Sequence, residues 1–325
     1  MSVQGLKVAV VIPAYRAAET IQRVLAGIPA WVDAIYAVDD ASPDETGAKI
    51  GAVSDRRVRL LRRQENGGVG AATITGYKQA LADGADICVK MDADGQMDPE
   101  YLPHLIEPLV AGRADYAKGN RFHDAAALRR MPLGRRVGNA GLSFLIKAAS
   151  GQWNIFDPTN GYTAIHRSAL EALEISALHP RFFFESSMLI GLREIGALVE
   201  DVPMPALYGG EMSHLSAVRA LVEFPALLLR HGLKRVLWQY FVADFNAVSL
   251  FLVSGIPLAL FGFFFGAYHW IVNYRAGTFA STGTVMLAVL PLILGFQLLL
   301  QALVLDVQNT PRRPLQLRRA PEVLS

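Results

Sequence analysis

Cysteine is almost missing: Cys88 is the only one in 325 residues. A disulfide scaffold is thereby excluded, and a lone thiol inside an apolar run reads as core. Charge is also sparse, at 18%, with a formal net charge of only +2. Residues 306–325 hold four Arg against one Asp and one Glu, so the first 305 residues are neutral overall. That excludes a broad basic surface and a nucleic-acid-binding body. The glycines at 67, 68 and 70 do not form Gly-x-Gly-x-x-Gly, so dinucleotide binding is unsupported. No charged segment followed by an apolar one opens the chain, so no cleaved signal is expected. Disorder is excluded for most of the chain by a hydrophobic content of 52%.

The most informative absence is near the C-terminus. Phe245–Tyr274 and Ala276–Leu305 each run for 30 residues without Asp, Glu, Lys or Arg. Roughly 20 apolar residues suffice to cross a bilayer core as a helix. Two spans are expected, near 247–271 and 283–305, with Gln297 and Gln301 at a helix–helix contact. Arg230, Lys234 and Arg235 precede the first span, and Arg312, Arg313, Arg318 and Arg319 follow the second. Only Arg275 lies between them. The positive-inside bias then puts both flanks in the cytoplasm, in a multi-pass protein of the cytoplasmic (inner) membrane. A buried hairpin in a soluble core is the alternative. Leu215, Val218, Leu221, Val222, Leu228 and Leu229, interleaved with basic residues, suggest an interfacial helix. The domain reading is a catalytic body over 1–213, a juxtamembrane amphipathic segment over 214–240, two spans within 241–305 and a basic tail over 306–325.

The body alternates strand and helix. Apolar runs at Leu6–Ile12, Ala34–Val38, Val58–Leu61 and Asp86–Met91 read as strands, with a short fifth at Tyr116–Lys118. Helical spacing occupies Glu19–Ile28, the stretch from Gly70 to about Leu81, and Pro99–Ala111, while Ser42 fits a helix cap. This order implies an α/β fold, a mostly parallel Rossmann-like sheet with helices on both faces. Ligands bind outside the carboxyl ends of such strands. Those ends carry Pro13-Ala14-Tyr15, Asp39-Asp40 and Asp92-Ala93-Asp94.

Asp92-Ala93-Asp94-Gly95-Gln96 offers two carboxylates one residue apart and a neutral oxygen. Mg²⁺ or Mn²⁺ favours such hard ligands and usually also takes phosphate oxygens from a substrate. A polar turn is the plain alternative. Asp39 and Asp40 can hydrogen-bond a nucleoside, and the glycines after Gly67 can admit a ligand close to the backbone.

These stretches resemble a known family. Val38-Asp39-Asp40-Ala41-Ser42-Pro43-Asp44 resembles the Val-Asp-Asp-Gly-Ser-x-Asp element of family 2 glycosyltransferases. Gly68-Val69-Gly70, Met91-Asp92-Ala93-Asp94-Gly95-Gln96 and Gly119-Asn120-Arg121-Phe122 follow in that family's order. Within the family, the dolichyl-phosphate mannose synthase and bacterial polyprenyl-phosphate glycosyltransferase branch is most similar, over roughly residues 6–240.

The resemblance implies a glycosyltransferase A fold and an inverting reaction. It implies a UDP- or GDP-linked sugar donor and a polyprenyl phosphate acceptor at the membrane lipid surface. Pro13, Ala14, Tyr15, Asp39 and Asp40 would bind the nucleotide. Asp92, Asp94 and Gln96 would hold Mg²⁺ or Mn²⁺ on the diphosphate. Arg121 and Arg136 would contact phosphates, and Glu185, after Phe182-Phe183-Phe184, would lie near the active site in an aromatic, desolvated setting. Asp157-Pro158-Thr159-Asn160-Gly161-Tyr162 resembles another family element, with Thr163 where relatives often carry a basic residue. Asp157 can instead be structural. Leu207 likewise stands where relatives carry a basic residue, and His214 or Arg219 would have to substitute.

Two rival readings stand beside this one. One is a glycosyltransferase with a hydroxyl acceptor, which needs a base such as Glu185. The other is a non-catalytic, membrane-tethered nucleotide-sugar-binding protein. A homo-oligomer is compatible with all three.

Overall fold

The structure is a computed structural model describing residues 3–123, 133–205 and 217–318. Within it, side chains are not described at 133–135, 137, 139 and 217–223. Arg129, Arg130, Leu207, His214 and Arg319 therefore lie outside the described residues, as do the side chains of Arg135 and Arg219.

Seven strands form one sheet in the order β3-β2-β1-β4-β6-β5-β7. They are β1 (Val8–Ala14), β2 (Ala34–Asp39), β3 (Val58–Arg62), β4 (Ile87–Lys90), β5 (Tyr116–Asn120), β6 (Thr163–His166) and β7 (Val199–Pro203). Strand β6 runs antiparallel to both β4 and β5, and every other pairing is parallel. The first five strands fall where the apolar runs place them; β6 and β7 are additional. Strand β1 continues through Pro13 and Ala14. Lys90, the last residue of β4, pairs with Val11, so Pro13 lies beyond that partner and breaks no ladder there.

Every residue of β1 is buried. Val8, Val10 and Ile12 join one core cluster, and Ala9 and Val11 join the other. Helices therefore cover both faces, as continuous rather than alternating hydrophobicity requires. They include α1 (Ile21–Gly27), α2 (Thr46–Gly51), α3 (Val69–Ala82), α4 (Leu102–Val110), α5 (Leu133–Ser150), α6 (Arg167–Ala172) and α7 (Phe184–Glu194). Cys88 is 1% exposed in this core, and burial pushes its thiol up to about 12. Ser42 does not cap α2: Asp44 accepts from the Thr46 N–H at 3.2 Å and its hydroxyl at 2.6 Å. The Ser42 hydroxyl accepts from the Arg16 N–H instead.

Two compact units form, one from the described residues up to Gly232 with those from Pro311 on, the other from Leu233 to Thr310. Helix α8 (Ala217–Leu237) runs over the segment expected to be amphipathic and leaves Leu229 exposed. A π-helical turn, Trp238–Ala243, follows it. The second unit is then an antiparallel hairpin of α9 (Ala247–Ala276) and α10 (Thr282–Gln308). Both helices are long and apolar enough to cross a membrane.

They outrun the expected spans because backbone bonding continues past the apolar boundary, until Gly277 adopts φ +63°. Gly255, Gly262 and Gly295 line the helix contact: a Cβ on Gly255 would lie 3.1 Å from the Gly295 carbonyl oxygen. Small residues permit such close approach. Gln297 and Gln301 do not make this contact; both are exposed. Asp306 sits in the last turns of α10, not in a tail. Its carboxylate accepts from the Arg235 guanidinium at 2.8 and 3.2 Å and from the Tyr240 hydroxyl at 2.5 Å. Arg235 is thus a buried ion-pair partner as well as a flanking basic residue.

The last described segment returns to the first unit as α11 (Leu315–Arg318). Asp115, fully buried before β5, accepts from the N–H groups of Leu198, Leu315 and Gln316 at 2.9, 2.8 and 3.2 Å. The Gln316 amide donates to the Leu109 and Ala114 carbonyls. Asp115→Ala strands three N–H groups, which should cost roughly 1–3 kcal/mol. It should also release the strap, so that trypsin cuts after Arg312 and Arg318 faster than in the wild type. Equal cutting rates would show that Asp115 does not hold it.

Candidate functional site

The parallel strands all end on one edge, and β6, being reversed, starts there. The carboxyl ends of β1, β2, β4 and β5 and the 157–162 loop therefore meet at one rim.

At the ends of β1 and β2, Pro13 and Ala14 are buried and Tyr15 is 45% exposed, with the Arg16 guanidinium 5.5 Å from its ring centre. Asp39 and Asp40 are both buried. Asp39 accepts from the Ser42 N–H at 3.0 Å. Asp40 accepts from Arg63 at 2.5 Å, from Gly67 N–H at 3.1 Å and from Gly68 N–H at 2.7 Å. These carboxylates brace the rim's loops. The glycines serve the chain's own packing rather than an open backbone approach. Gly68 takes φ +94°, and a Cβ there would meet Arg181 and the Pro180 carbonyl. A Cβ on Gly70 would collide with Phe184.

After β4, residues 92–96 form one turn. Asp92 is part-exposed, Asp94 and Gln96 are exposed, and the Gln96 N–H donates to Asp94 Oδ1 at 2.9 Å. Thr20 anchors the turn by donating to the Ala93 carbonyl at 2.6 Å. The donor set is oxygen throughout, which fits a hard divalent cation. Among the described residues no cluster of three or more His, Cys, Asp or Glu is arranged to hold a metal. A cation here would need oxygens from a bound ligand to complete its shell.

Beneath the turn lies a buried lysine that the apolar-run reading passed over. Lys90 Nζ is 2.7 Å from Asp92 Oδ1 and 3.2 Å from Glu185 Oε1. Burial works against its charge, but the two carboxylates outweigh burial and hold the ammonium above its ordinary range. Glu185 thus opens α7 facing a cation as well as aromatic rings. Phe183 and Phe184 are buried, while Phe182 is 52% exposed.

Lys118 is the second buried lysine. Its ammonium donates to the Asn160 carbonyl, and burial pushes it down to about 8. Register places it beside Thr163, whose other neighbour is Lys90. A lysine inside a four- or five-residue strand is the signal that could have found both.

Arg121 follows β5 with its guanidinium held bidentately by the fully buried Asp157, at 2.7 and 3.0 Å. It also reaches Thr159. Asp157 thereby fixes the arginine and its own loop, accepting from the Thr159 hydroxyl as well. Arg136 lies half-buried early in α5. No described hydrogen bond or ion pair joins it to the rim.

A seven-stranded mixed sheet with helices on both faces, and acids gathered at its carboxyl edge, defines a Rossmann-like α/β protein with its candidate site at the strand ends. Residues 9–174 match the sequence model described as Glycosyl transferase family 2, and the chain belongs to that family. It is 32% identical over 213 residues to the UDP-N-acetylglucosamine–dolichyl-phosphate N-acetylglucosaminyltransferase of Methanococcus voltae, covering 61% of this chain and 84% of that one. It is 31% identical over 204 residues to the undecaprenyl-phosphate mannosyltransferase of Micrococcus luteus, covering 61% and 83%. Among solved structures, glucosyl-3-phosphoglycerate synthase of Mycobacterium tuberculosis, in complex with Mn²⁺, UDP-glucose and phosphoglyceric acid, shares the fold. The TM-score is 0.51 at 20% identity, over 71% of this chain and 80% of that one.

At the rim's far side, burial pushes the Asp201 carboxyl up to about 6 from an ordinary 3.8. Between those values the folded chain holds this proton and the unfolded chain does not. The group's contribution to stability is therefore complete below pH 4 and is lost as pH rises through 6. Asp201→Asn should raise the melting temperature by about 2–4 °C at pH 7.5 and leave it unchanged at pH 4.5. An equal shift at both pH values would contradict this.

Proposed function

We propose that this chain transfers a sugar, with inversion, from a nucleoside diphosphate-sugar to a polyprenyl phosphate at the cytoplasmic face of a membrane. The observation that carries the reading is the Asp92–Gln96 turn at the sheet's carboxyl edge, in a chain that also holds two membrane-length apolar helices. Relatives at 31–32% identity named for dolichyl- and undecaprenyl-phosphate transfer support the acceptor class.

The acceptor phosphate is already ionised at neutral pH, so its oxygen attacks the anomeric carbon without a general base. The bond from that carbon to the diphosphate breaks on the opposite side. Asp92, Asp94 and Gln96 would hold Mg²⁺ or Mn²⁺ with the donor diphosphate, and the cation would offset charge developing on the leaving group. Bringing two anions together demands fixed positive charge. Arg121, oriented by Asp157, offers an already positioned fork, and its rigidity limits reorganisation during transfer. Tyr15 offers an exposed ring at the nucleotide end of the rim. Glu185, paired to Lys90, is poorly suited as the base that a hydroxyl acceptor would need.

In purified full-length protein given labelled UDP- and GDP-sugars and short polyprenyl phosphates, Asp94→Ala should lower transfer at least about a hundredfold. The wild-type product should hydrolyse in mild acid, as a glycosyl phosphate does. Near-normal transfer by the variant would refute the turn's role, and an acid-stable product would indicate a hydroxyl acceptor.

The strap adds a topological argument. Leu315 and Gln316, beyond the second apolar helix, bond to Asp115 in the sheet domain. This supports a hairpin that crosses and returns, with both flanks on one side. The only native thiol is buried, so an introduced cysteine reports alone. In right-side-out vesicles an impermeant maleimide should label Thr278→Cys and spare Arg313→Cys until the vesicles are opened. Labelling of both in sealed vesicles would exclude this topology.

A further inference from the structure

Lys90 closes β4 with a side chain only 1% exposed. Besides Asp92 and Glu185, its Nζ donates to the Gly161 carbonyl at 3.4 Å. An ammonium has three protons and no acceptor, and three oxygens surround this one. The close fit depends on Gly161. A Cβ there would stand 2.8 Å from Nζ and 2.9 Å from Asp92 Oδ2. Asp92 thus differs from its neighbours in the turn. Asp94 and Gln96 are exposed, whereas one Asp92 oxygen already lies on a buried cation.

Taking the 92–96 turn as the place where a divalent cation meets the donor, we infer that Lys90 is a positioning residue that suppresses cation binding to the bare carboxylates. Capture of the cation then requires a nucleoside diphosphate. A dication approaching Asp92 meets an ammonium 2.7 Å from the same carboxylate. It must overcome like-charge repulsion and weaken an ion pair. Diphosphate oxygens supply the missing negative charge and the missing ligands together. Glu185 completes the device. When Asp92 turns to the cation, Lys90 keeps a carboxylate partner, so no buried ammonium is left unpaired. Free enzyme would therefore hold little metal, and metal and donor would enter as one unit.

The test is Mn²⁺ binding by the full-length protein in detergent, read from the electron paramagnetic resonance signal of free Mn²⁺. Titrations are run without nucleotide, with UDP and with GDP. Wild-type protein should bind Mn²⁺ weakly alone and clearly more tightly with one of the nucleotides. Lys90→Met should bind Mn²⁺ alone about tenfold more tightly, the order by which one adjacent charge alters a carboxylate's affinity for a cation. Lys90→Arg should restore the wild-type pattern, which a merely structural role would not require.

Unchanged nucleotide-free affinity in Lys90→Met overturns the inference, as does wild-type binding that is equally tight with and without nucleotide. If wild-type protein takes up Mn²⁺ under none of the three conditions, the metal reading of the turn itself fails and the inference falls with it. If Lys90→Met does not fold, Glu185→Gln carries the test. The Lys90 ammonium then has Asp92 as its one carboxylate partner, so Mn²⁺ affinity with nucleotide should drop several-fold, and an unchanged value overturns the inference.

Discussion

Burial of the sheet on both faces is the constraint from which the rest follows. Strand β1 offers no exposed residue, so polar chemistry cannot sit on the sheet's surface and is driven to its ends. Parallel pairing then gathers those ends on one rim. Reversal of β6 strengthens the effect, because a strand entering from the rim brings its preceding loop there. Asp157, Asn160 and Gly161 belong to that loop, and each contacts a side chain from β4 or β5 or the residue just after it. One antiparallel strand therefore converts a row of strand ends into a set of cross-bonded groups.

Those bonds manage an electrostatic problem. Two lysines buried in the sheet would each be costly alone, and the chain treats them differently. Lys90 meets two carboxylates and stays firmly charged. Lys118 meets a carbonyl, and burial lowers its affinity for a proton. Asp201 faces the converse pressure, its proton held by burial more than Lys118 and Lys147 can offset. Arg121 and Asp157 form the best-paired unit, with two nearly parallel hydrogen bonds. The rim thus keeps its cations in place, each through an acceptor of the chain's own.

Much of this was legible in the sequence, for a physical reason. Strands β1 to β5 announce themselves because burial on two faces demands unbroken apolar runs, and the acids at 39, 40, 92 and 94 stand out where those runs stop. Strands β6 and β7 are short and mixed, and strict strand–helix alternation gives no hint that a strand will be reversed. Glycines 67, 68 and 70 read as room for a ligand because local sequence cannot show that residues 179–184 return to fill that space. The partner of Arg121 lies 36 residues away, beyond any local pattern. Lys90 was visible as a charge in a buried strand two residues from Asp92, yet its second carboxylate partner, Glu185, emerges only once β4 and α7 are brought together.

The C-terminal hairpin is built of two apolar helices whose backbones bond within themselves, and the helices meet through glycines rather than through polar side chains. Both glutamines expected at that contact are turned away from it, while the charged pair Arg235–Asp306 is placed at the hairpin's end, where Tyr240 completes its hydrogen bonding. The polypeptide beyond the hairpin then rejoins the sheet domain through Asp115. A chain tied in this way cannot send its tail to the opposite side of a bilayer without losing the two backbone hydrogen bonds that Leu315 and Gln316 donate to one buried carboxylate. The segment beyond the hairpin is thereby linked to the folding of the sheet, through the strand β5 that Arg121 follows at its other end.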